Sequence, residues 1–233
     1  MKLTKTEYET IRPYFTTKEL NRYWAIKQNQ YWIIYTGSGA NKIINNYPNI
    51  KNHLDKFAEI ITSDNAPYGL HRARNEDFFK GEKIISLRKC PKRPTFTYTN
   101  FDAYVAQTFF VIKTNRINLQ YLTAILNSRV IQFWLKHRGK MQGNNYQIDK
   151  EPLINIPIIK CDNSLIANQV ITQNIENLVE KILLTMGGGD YYQNKQLQLE
   201  VNNFETAIDN LIYQLYELTS EEIDLIKRAT KFK

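Results

Sequence analysis

The sequence has few residues of the kinds that bind metals or form disulfides. It contains two cysteines and three histidines in 233 residues. Cys90 and Cys161 are far apart and match no metal-ligand spacing, and the histidines are scattered, so neither a zinc site nor a disulfide is expected. The sequence also has no apolar run of about eighteen residues and no apolar signal-peptide core near Met1. These absences predict a cytoplasmic protein without a membrane span or a bound metal.

Catalytic motifs are missing as well. A phosphate-binding loop would end in Gly-Lys-Ser/Thr, which the segment 37–39 does not. A metal-dependent nuclease would carry a Glu-x-Lys on one face of a strand, whereas Glu82 and Lys83 are adjacent and point to opposite faces. A methyltransferase acting on a base amine would need a glycine-rich cofactor turn and an Asn/Asp-Pro-Pro-aromatic tetrapeptide, and neither occurs. The chain is therefore expected to serve an enzyme without holding catalytic residues.

Positive charge is what the chain has in excess. It carries 31 Lys and Arg against 23 Asp and Glu, a formal net charge of +8. The excess lies in residues 1–160, with 25 basic and 12 acidic residues, whereas residues 161–233 carry 6 and 11. Because basic surfaces attract polyanions, the first part of the chain is a candidate for nucleic-acid binding.

The pattern of apolar residues predicts an α+β domain over residues 1–160. Short β-branched and aromatic runs indicate strands at 31–35, 83–87 and 104–112. Helical spacing is interleaved with them at 48–61, after Asn118 as an N-cap, and after Ser128. We expect a small mixed β-sheet with packed helices.

Beyond residue 160 the strand patterns stop and heptad spacing begins. Apolar residues recur at intervals of four and three on two successive helical segments, at Ile171, Ile175, Leu178 and Ile182, and then at Leu197, Val201, Phe204, Ile208, Leu211 and Leu215. The glycines at 187–189 permit a chain reversal between them. Residues 161–233 are thus predicted to form an antiparallel helical pair, a spacer or docking arm, with a last short helix opened by the capping box of Thr219 and Glu222.

Basic and amide side chains suited to DNA gather in three segments. Arg72 and Arg74 lie on one predicted loop, either as bidentate readers of guanine or in a solvated turn where they pair with Glu76 and Asp77. A second segment at the end of a strand is expected to contact phosphates, through Arg88, Lys89, Lys92 and Arg93. A third, a predicted flexible loop, would combine phosphate anchors with readers of base edges, and it contains Arg138, Lys140, Gln142, Asn144, Asn145 and Tyr146. The aromatic residues with strand or helix spacing are assigned to the core instead: Trp24, Tyr31, Trp32, Phe133 and Trp134.

Taken in order, these segments resemble the TaqI-like C-terminal specificity domain. This is the target recognition domain of adenine-specific DNA methyltransferases and of type IIG restriction-modification enzymes. The resemblance covers most of the chain, and its pieces include IRPYFTTKELNRY at 11–23, YWIIY at 31–35, YGLHRAR at 68–74, EKIISLRK at 82–89, YLTAILNSRVIQFWLK at 121–136 and GNNYQIDKEPLINIPI at 143–158.

The resemblance implies a module that reads double-stranded DNA and holds it against a catalytic domain, fused or separate. That domain would methylate adenine at its exocyclic nitrogen with S-adenosylmethionine, and in type IIG relatives a nuclease domain cleaves as well. S-adenosylmethionine and, for cleavage, Mg²⁺ are therefore candidate cofactors of the catalytic domains and not of this chain. The loop positions that the resemblance transfers are Arg72, Arg74, Asn144, Asn145 and Tyr146. The alternative is an assembly module whose heptad helices bind a protein partner, with only non-specific affinity for DNA.

Overall fold

A computed structural model of the chain describes residues 2–160 and 166–231. Its strands are β1 Ile11–Tyr14, β2 Tyr31–Ile34, β3 Lys83–Leu87, β4 Lys89–Pro91, β5 Phe96–Thr99, β6 Phe109–Ile112, β7 Lys140–Gln142 and β8 Asn145–Gln147. Its helices are α1 Lys5–Tyr8, α2 Ala40–Ile43, α3 Pro48–Leu54, α4 Leu119–Asn127, α5 Arg129–Arg138, α6 Lys150–Ile154, α7 Ile166–Gly187, α8 Lys195–Leu215 and α9 Ser220–Ala229. This content confirms the predicted α+β class.

The strands are divided among three small antiparallel sheets, where the sequence had suggested one mixed sheet. Strands β1 and β2 form a two-stranded sheet, β5–β3–β6 a second, and β4–β8–β7 a third. The chain changes sheets at Arg88, between β3 and β4. Its backbone N–H donates to the carbonyl of Thr108 at 3.2 Å, and its own carbonyl accepts from the N–H of Ile148 at 2.7 Å. One residue thus ties the second sheet to the third.

Two of the predicted elements are shorter than expected. Of the predicted strand 104–112 only β6 forms, because the N–H of Phe109 bonds to the carbonyl of Ala106 and turns the chain just before it. Of the predicted helix 48–61 only α3 forms, and it continues as a 3-10 turn at Asp55–Phe57. The predicted strands at 31–35 and 83–87 are confirmed as β2 and β3.

The three predicted helix starts are confirmed by their caps. The Asn118 side chain accepts from the N–H of Gln120 and of Tyr121 at 2.7 and 3.1 Å. The Ser128 hydroxyl accepts from the N–H of Ile131 and so separates α4 from α5. Thr219 and Glu222 form the reciprocal capping box of α9. Each cap satisfies N–H groups that the first turn of a helix leaves unpaired.

The C-terminal helical pair is present, and its heptad residues face the core of the same chain. Of these residues, Ile175, Ile182 and Ile208 are fully buried in one cluster with Ile125 of α4. The heptad spacing is therefore used within the chain, which does not favour the predicted alternative of a dimerising helix. A second cluster, with Phe15, Phe79, Ile85, Tyr104 and Phe109, lies under the β1–β2 sheet. The division of the chain at residue 160 stays a prediction.

Candidate nucleic-acid interface

The β4–β8–β7 sheet, called the basic sheet below, joins two of the three predicted segments. Its central strand β8 places Gln147 between Lys89 of β4 and Lys140 of β7. Asn145 lies in the same way between Pro91 and Gln142. Side chains far apart in sequence thus form one patch of amides and ammonium groups.

The two faces of the basic sheet differ sharply, because side chains alternate along a strand. The inward side chains are Cys90, which is fully buried, Tyr146, which is 4% exposed, and the half-buried Met141. Burial raises the pKa of the Cys90 thiol to about 11, so it is an inert core residue, while Cys161 lies outside the described residues. The outward face and its turn are polar and exposed, with Lys89, Lys140, Gln142, Asn144 and Asn145.

The third segment is a β-hairpin and not the flexible loop that the sequence suggested. Gln142 pairs with Asn145, which leaves Gly143 and Asn144 as a two-residue turn. Gly143 has a φ of 60°, as the first central position of a type II′ hairpin turn requires. The Gly-Asn dipeptide between two short runs was the sequence signal for this turn. The amide side chains are therefore held on a rigid ribbon.

Helix α5 leads directly into this hairpin through Gly139. A Cβ at Gly139 would stand 2.5 Å from the carbonyl oxygen of Leu135, so only glycine fits this close turn. Arg138, the last residue of α5, is exposed and lines a hollow that also contains Glu151. Because Ile131 and Leu135 anchor α5 in the core, the hairpin has a fixed origin.

Asp149 partly offsets the positive charge of the basic sheet. Its carboxylate lies 3.4 Å from the ammonium group of Lys140 and 3.6 Å from the guanidinium of Arg88. A hydrogen bond from Gln147, followed by these two cations, lowers the pKa of Asp149, so the group is ionised at neutral pH. Among the described residues, Lys89 and Lys92 have no carboxylate within 4.0 Å. They are the cations best placed to bind an anion from outside.

Two predicted DNA contacts have structural positions instead. The ring of Tyr146 lies in the core, with its hydroxyl 3.4 Å from the amide nitrogen of Gln132. The Arg93 guanidinium lies 2.9 Å from the carboxylate of Glu205 on α8. The physical reason is burial for Tyr146 and the ion pair with Glu205 for Arg93.

The first predicted segment lines a groove of about 630 Å³. Arg72 and Arg74 are exposed at this groove. The predicted pairing with Glu76 is wrong, because the Glu76 carboxylate binds Arg12 at 2.6 Å. Within the described part of the chain, neither Arg72 nor Arg74 has a carboxylate within 4.0 Å. Both guanidinium groups are therefore available to a ligand.

The rest of the groove is largely aromatic, which the sequence did not reveal. Its lining rings are Tyr14, Tyr31, Tyr35 and Phe79. Trp32 also borders the groove, but because side chains alternate along β2 its ring points to the opposite face, where it lines a separate hollow with Ile11, Ile34 and His53. Tyr31 is 49% exposed and Trp32 is 65% exposed, so the prediction that they belong to the core is wrong. The reason is that β2 pairs with β1 alone, and no further strand covers them within the described residues.

The groove and the basic sheet are neighbours. Ala106 and Gln107 line the groove, and the next residue, Thr108, accepts the backbone hydrogen bond from Arg88. Arg88 in turn precedes β4, and its guanidinium lies 5.1 Å from the centre of the Phe110 ring. A ligand that spans both regions would therefore cross the short segment 106–108.

The described residues offer no metal site and no membrane span. Within residues 2–160 and 166–231, no three His, Cys, Asp or Glu side chains are grouped so that they could hold a metal ion. None of the helices in these two segments combines the length and the apolar character that crossing a bilayer requires.

Exposed cations and amides beside an aromatic groove are the surface chemistry of a nucleic-acid-binding domain. The sequence profile of the TaqI-like C-terminal specificity domain matches residues 12–158, and the chain belongs to this family. The type II methyltransferase M.HincII of Haemophilus influenzae is 27% identical over 181 residues, which are 71% of this chain and 36% of that protein. M.HindII of the same species is also 27% identical over 181 residues, 35% of its length. The chain thus spans about a third of these relatives.

A solved structure shares the fold. The type IIL restriction-modification enzyme MmeI, in complex with DNA, superimposes with a TM-score of 0.68 at 12% identity, covering 92% of this chain and 29% of MmeI. At this low identity the likeness extends to the fold alone, and the site has to be argued from the residues of this chain.

Proposed function

We propose that this chain recognises a specific sequence in double-stranded DNA, as the specificity part of an adenine-N6 DNA methyltransferase or a restriction-modification enzyme. The observation that carries the proposal is the outward face of the basic sheet. There, ammonium groups suited to phosphates and amides suited to base edges share one rigid surface. Membership of the specificity-domain family supports the same conclusion.

The β7–β8 hairpin is the element that would enter the major groove. A two-stranded ribbon fits this groove, in which every base pair presents a distinct set of donors and acceptors. The hairpin carries Gln142, Asn144 and Asn145 at and beside its turn, and amide side chains pair best with adenine. Because the turn is fixed by Gly143, these amides would meet the bases without first being ordered.

The cations around the hairpin would set its position on the duplex. Lys89 and Lys92, which have no carboxylate partner among the described residues, would contact phosphates on one side, and Lys140 and Arg138 on the other. Arg72 and Arg74 would read guanine with their bidentate guanidinium groups. Arg88 would contribute charge beside them, partly offset by Asp149.

The reaction itself would belong to a catalytic domain, fused to this chain or separate. The named relatives are methyltransferases about three times as long as the matched segment. S-adenosylmethionine, and Mg²⁺ where cleavage follows, would bind in that domain. The acidic helical pair of α7 and α8 would act as a spacer or docking arm that faces protein, since its negative charge disfavours contact with DNA.

Selection on randomised duplexes, with the catalytic partner present and absent, tests this function. We expect one enriched sequence. Arg72→Ala should then reduce the free energy of binding to the selected site by about 1–3 kcal/mol, and the variant should discriminate less against altered versions of that site. Lys89→Ala should weaken all duplexes alike and reduce the slope of log K against log salt by about one unit. Lys89 is preferred to Lys92 for this test, because Lys92 has a φ of 67° and its replacement could also alter backbone strain.

Lys195→Ala is the matched control for Lys89→Ala. Lys195 is exposed at the start of α8 and belongs to none of the segments proposed to contact DNA, so its replacement should leave both the affinity and the salt slope unchanged. If the selection enriches no sequence at low salt, with or without the catalytic partner, the proposed function is refuted.

A further inference from the structure

We propose that the aromatic groove binds an unpaired nucleotide of the DNA, with its base stacked on Tyr31 and its polar atoms held by Arg72 and Arg74. This inference rests on the proposed function, because DNA would reach the groove from the basic sheet. It adds a second kind of contact to that function, made to a base that has left the duplex stack.

The lining of the groove selects this ligand. The partly exposed ring of Tyr31, with Tyr14 on the same face of the sheet, stands beside two guanidinium groups that have no carboxylate partner in the described segments. Aromatic platforms next to cations are how proteins bind single-stranded nucleic acid, because each base presents a flat face and each nucleotide carries a negative phosphate. The volume of about 630 Å³ lies within the range of about 300–1,000 Å³ that is usual for small-molecule sites.

A paired duplex cannot use these rings in the same way. The faces of a base inside a helix are covered by its neighbours, and only its edges are open in the grooves. A ring of the β1–β2 sheet can cover a base only after that base has left the stack. The hairpin amides of the basic sheet and the rings of the groove therefore suit two different states of DNA.

The groove is preformed, so binding would not require the protein to rearrange. The Tyr35 hydroxyl donates to the carbonyl of Arg74 at 2.7 Å. This bond fixes the loop that carries Arg72 and Arg74, called the arginine loop below, to the end of β2. The N–H of Leu70 donates to the carbonyl of Thr36 at 2.9 Å and fixes the other end of the same loop. Below them, the rings of Phe79 and Tyr104 stack at 4.8 Å between centroids.

The position of the groove also suits one strand leaving the basic sheet. The segment 106–108 forms the border between the two regions, and Gln107 lines the groove at this border. A strand anchored on Lys89 could thus pass Gln107 and place one nucleotide between the rings and the arginines. His71 also lines the groove, but it faces Asp64 at 3.1 Å, so it adds less positive charge than Arg72 and Arg74.

The test compares three fluorescein-labelled probes that share one sequence: a fully paired duplex, the same duplex with one bulged nucleotide, and the single strand. We expect the full chain to prefer the bulged duplex over the paired one in fluorescence anisotropy. Tyr31→Ala should weaken binding to the bulged duplex and the single strand by roughly 5- to 150-fold. It should bind the paired duplex like the unchanged chain.

Two control variants separate stacking from general effects. Tyr31→Phe keeps the aromatic ring and should retain most of the preference for the bulged duplex. Tyr192→Ala removes a tyrosine that is 49% exposed, as Tyr31 is, but lies between α7 and α8, and it should change nothing. Thermal melting of each variant checks that it is folded.

The possible outcomes distinguish this inference from the proposed function. If the alanine variant loses affinity equally for all three probes, or loses none, the nucleotide site is overturned while recognition by the basic sheet stays intact. If the variant no longer associates with the catalytic partner but keeps its DNA affinity, the nucleotide site is also overturned. The groove is then a protein-docking surface. If no duplex sequence is preferred but binding of the bulged duplex still depends on Tyr31, the proposed function fails and the nucleotide site stands.

Discussion

Replacing Glu205 by Gln should destabilise the fold by removing the negative charge that two partly buried arginines share. The Glu205 carboxylate lies 3.1 Å from Arg22 and 2.9 Å from Arg93, and its side chain is 11% exposed. Burial raises the pKa of Glu205, but the charges of Arg22 and Arg93 outweigh it and hold the pKa below its ordinary value. Breaking such a pair leaves an uncompensated charge and costs about 3–5 kcal/mol. We expect about 3 kcal/mol, the lower end, because the Arg93 side chain is 36% exposed and keeps contact with water.

Urea denaturation followed by circular dichroism measures this loss. The matched control is Glu200→Gln, an exposed position five residues earlier on α8, which should stay within about 0.5 kcal/mol of the unchanged chain. Because the Glu205 pKa is lowered by folding, its contribution is present above the unfolded pKa and disappears as the pH falls through the folded value. The difference between the two variants should therefore shrink in acid. Equal midpoints for Glu205→Gln and Glu200→Gln at neutral pH would refute the assigned role.

Two further predictions concern the first part of the chain. Glu7 is buried, which raises its pKa, yet hydrogen bonds from Thr4 and Asn49 outweigh this and lower the pKa from 4.5 to about 2. The stability that Glu7 contributes to the fold should therefore be complete above pH 4.5 and lost on acidification towards pH 2. Glu7→Gln should remove this pH dependence from the denaturation curves. At Gly69 a Cβ would stand 2.5 Å from the carbonyl oxygen of Gly37, so Gly69→Ala should lower stability by about 1–3 kcal/mol and disturb the arginine loop. Gly39→Ala, with open space around the added methyl group, should do neither. Thermal melting compares the two variants, and equal melting temperatures would contradict the predicted clash.

Local features of the fold could be predicted from the sequence, and long-range pairings could not. The caps at Asn118 and Ser128 were predictable because each depends on a side chain and an N–H two or three residues away. The pairing of Lys89 with Gln147 was not, because nothing near either residue specifies its partner. The family resemblance identified the right class of domain, since it depends on the order of many short segments.

The same distinction explains which of the predicted site residues are exposed at the surface. Whether Arg93 points to solvent depends on Glu205, which is 112 residues away. Trp32 has the spacing of a core residue, but its exposure depends on how many strands its sheet contains. Sequence therefore indicated the segments that carry the surface, whereas only the fold shows which side of each segment faces outward.

The two candidate DNA-contacting regions differ in how they are built, and the difference matches their proposed tasks. The basic sheet packs its inward side chains, Cys90 and Tyr146, into the main core that also holds α7 and α8. The groove lies over the second core, and its exposed rings belong to a sheet of two strands. Reading base edges requires donors fixed to fractions of an ångström, which the main core provides. Accepting a base that has left the stack requires open aromatic surface, and a sheet that stops at two strands leaves such surface uncovered.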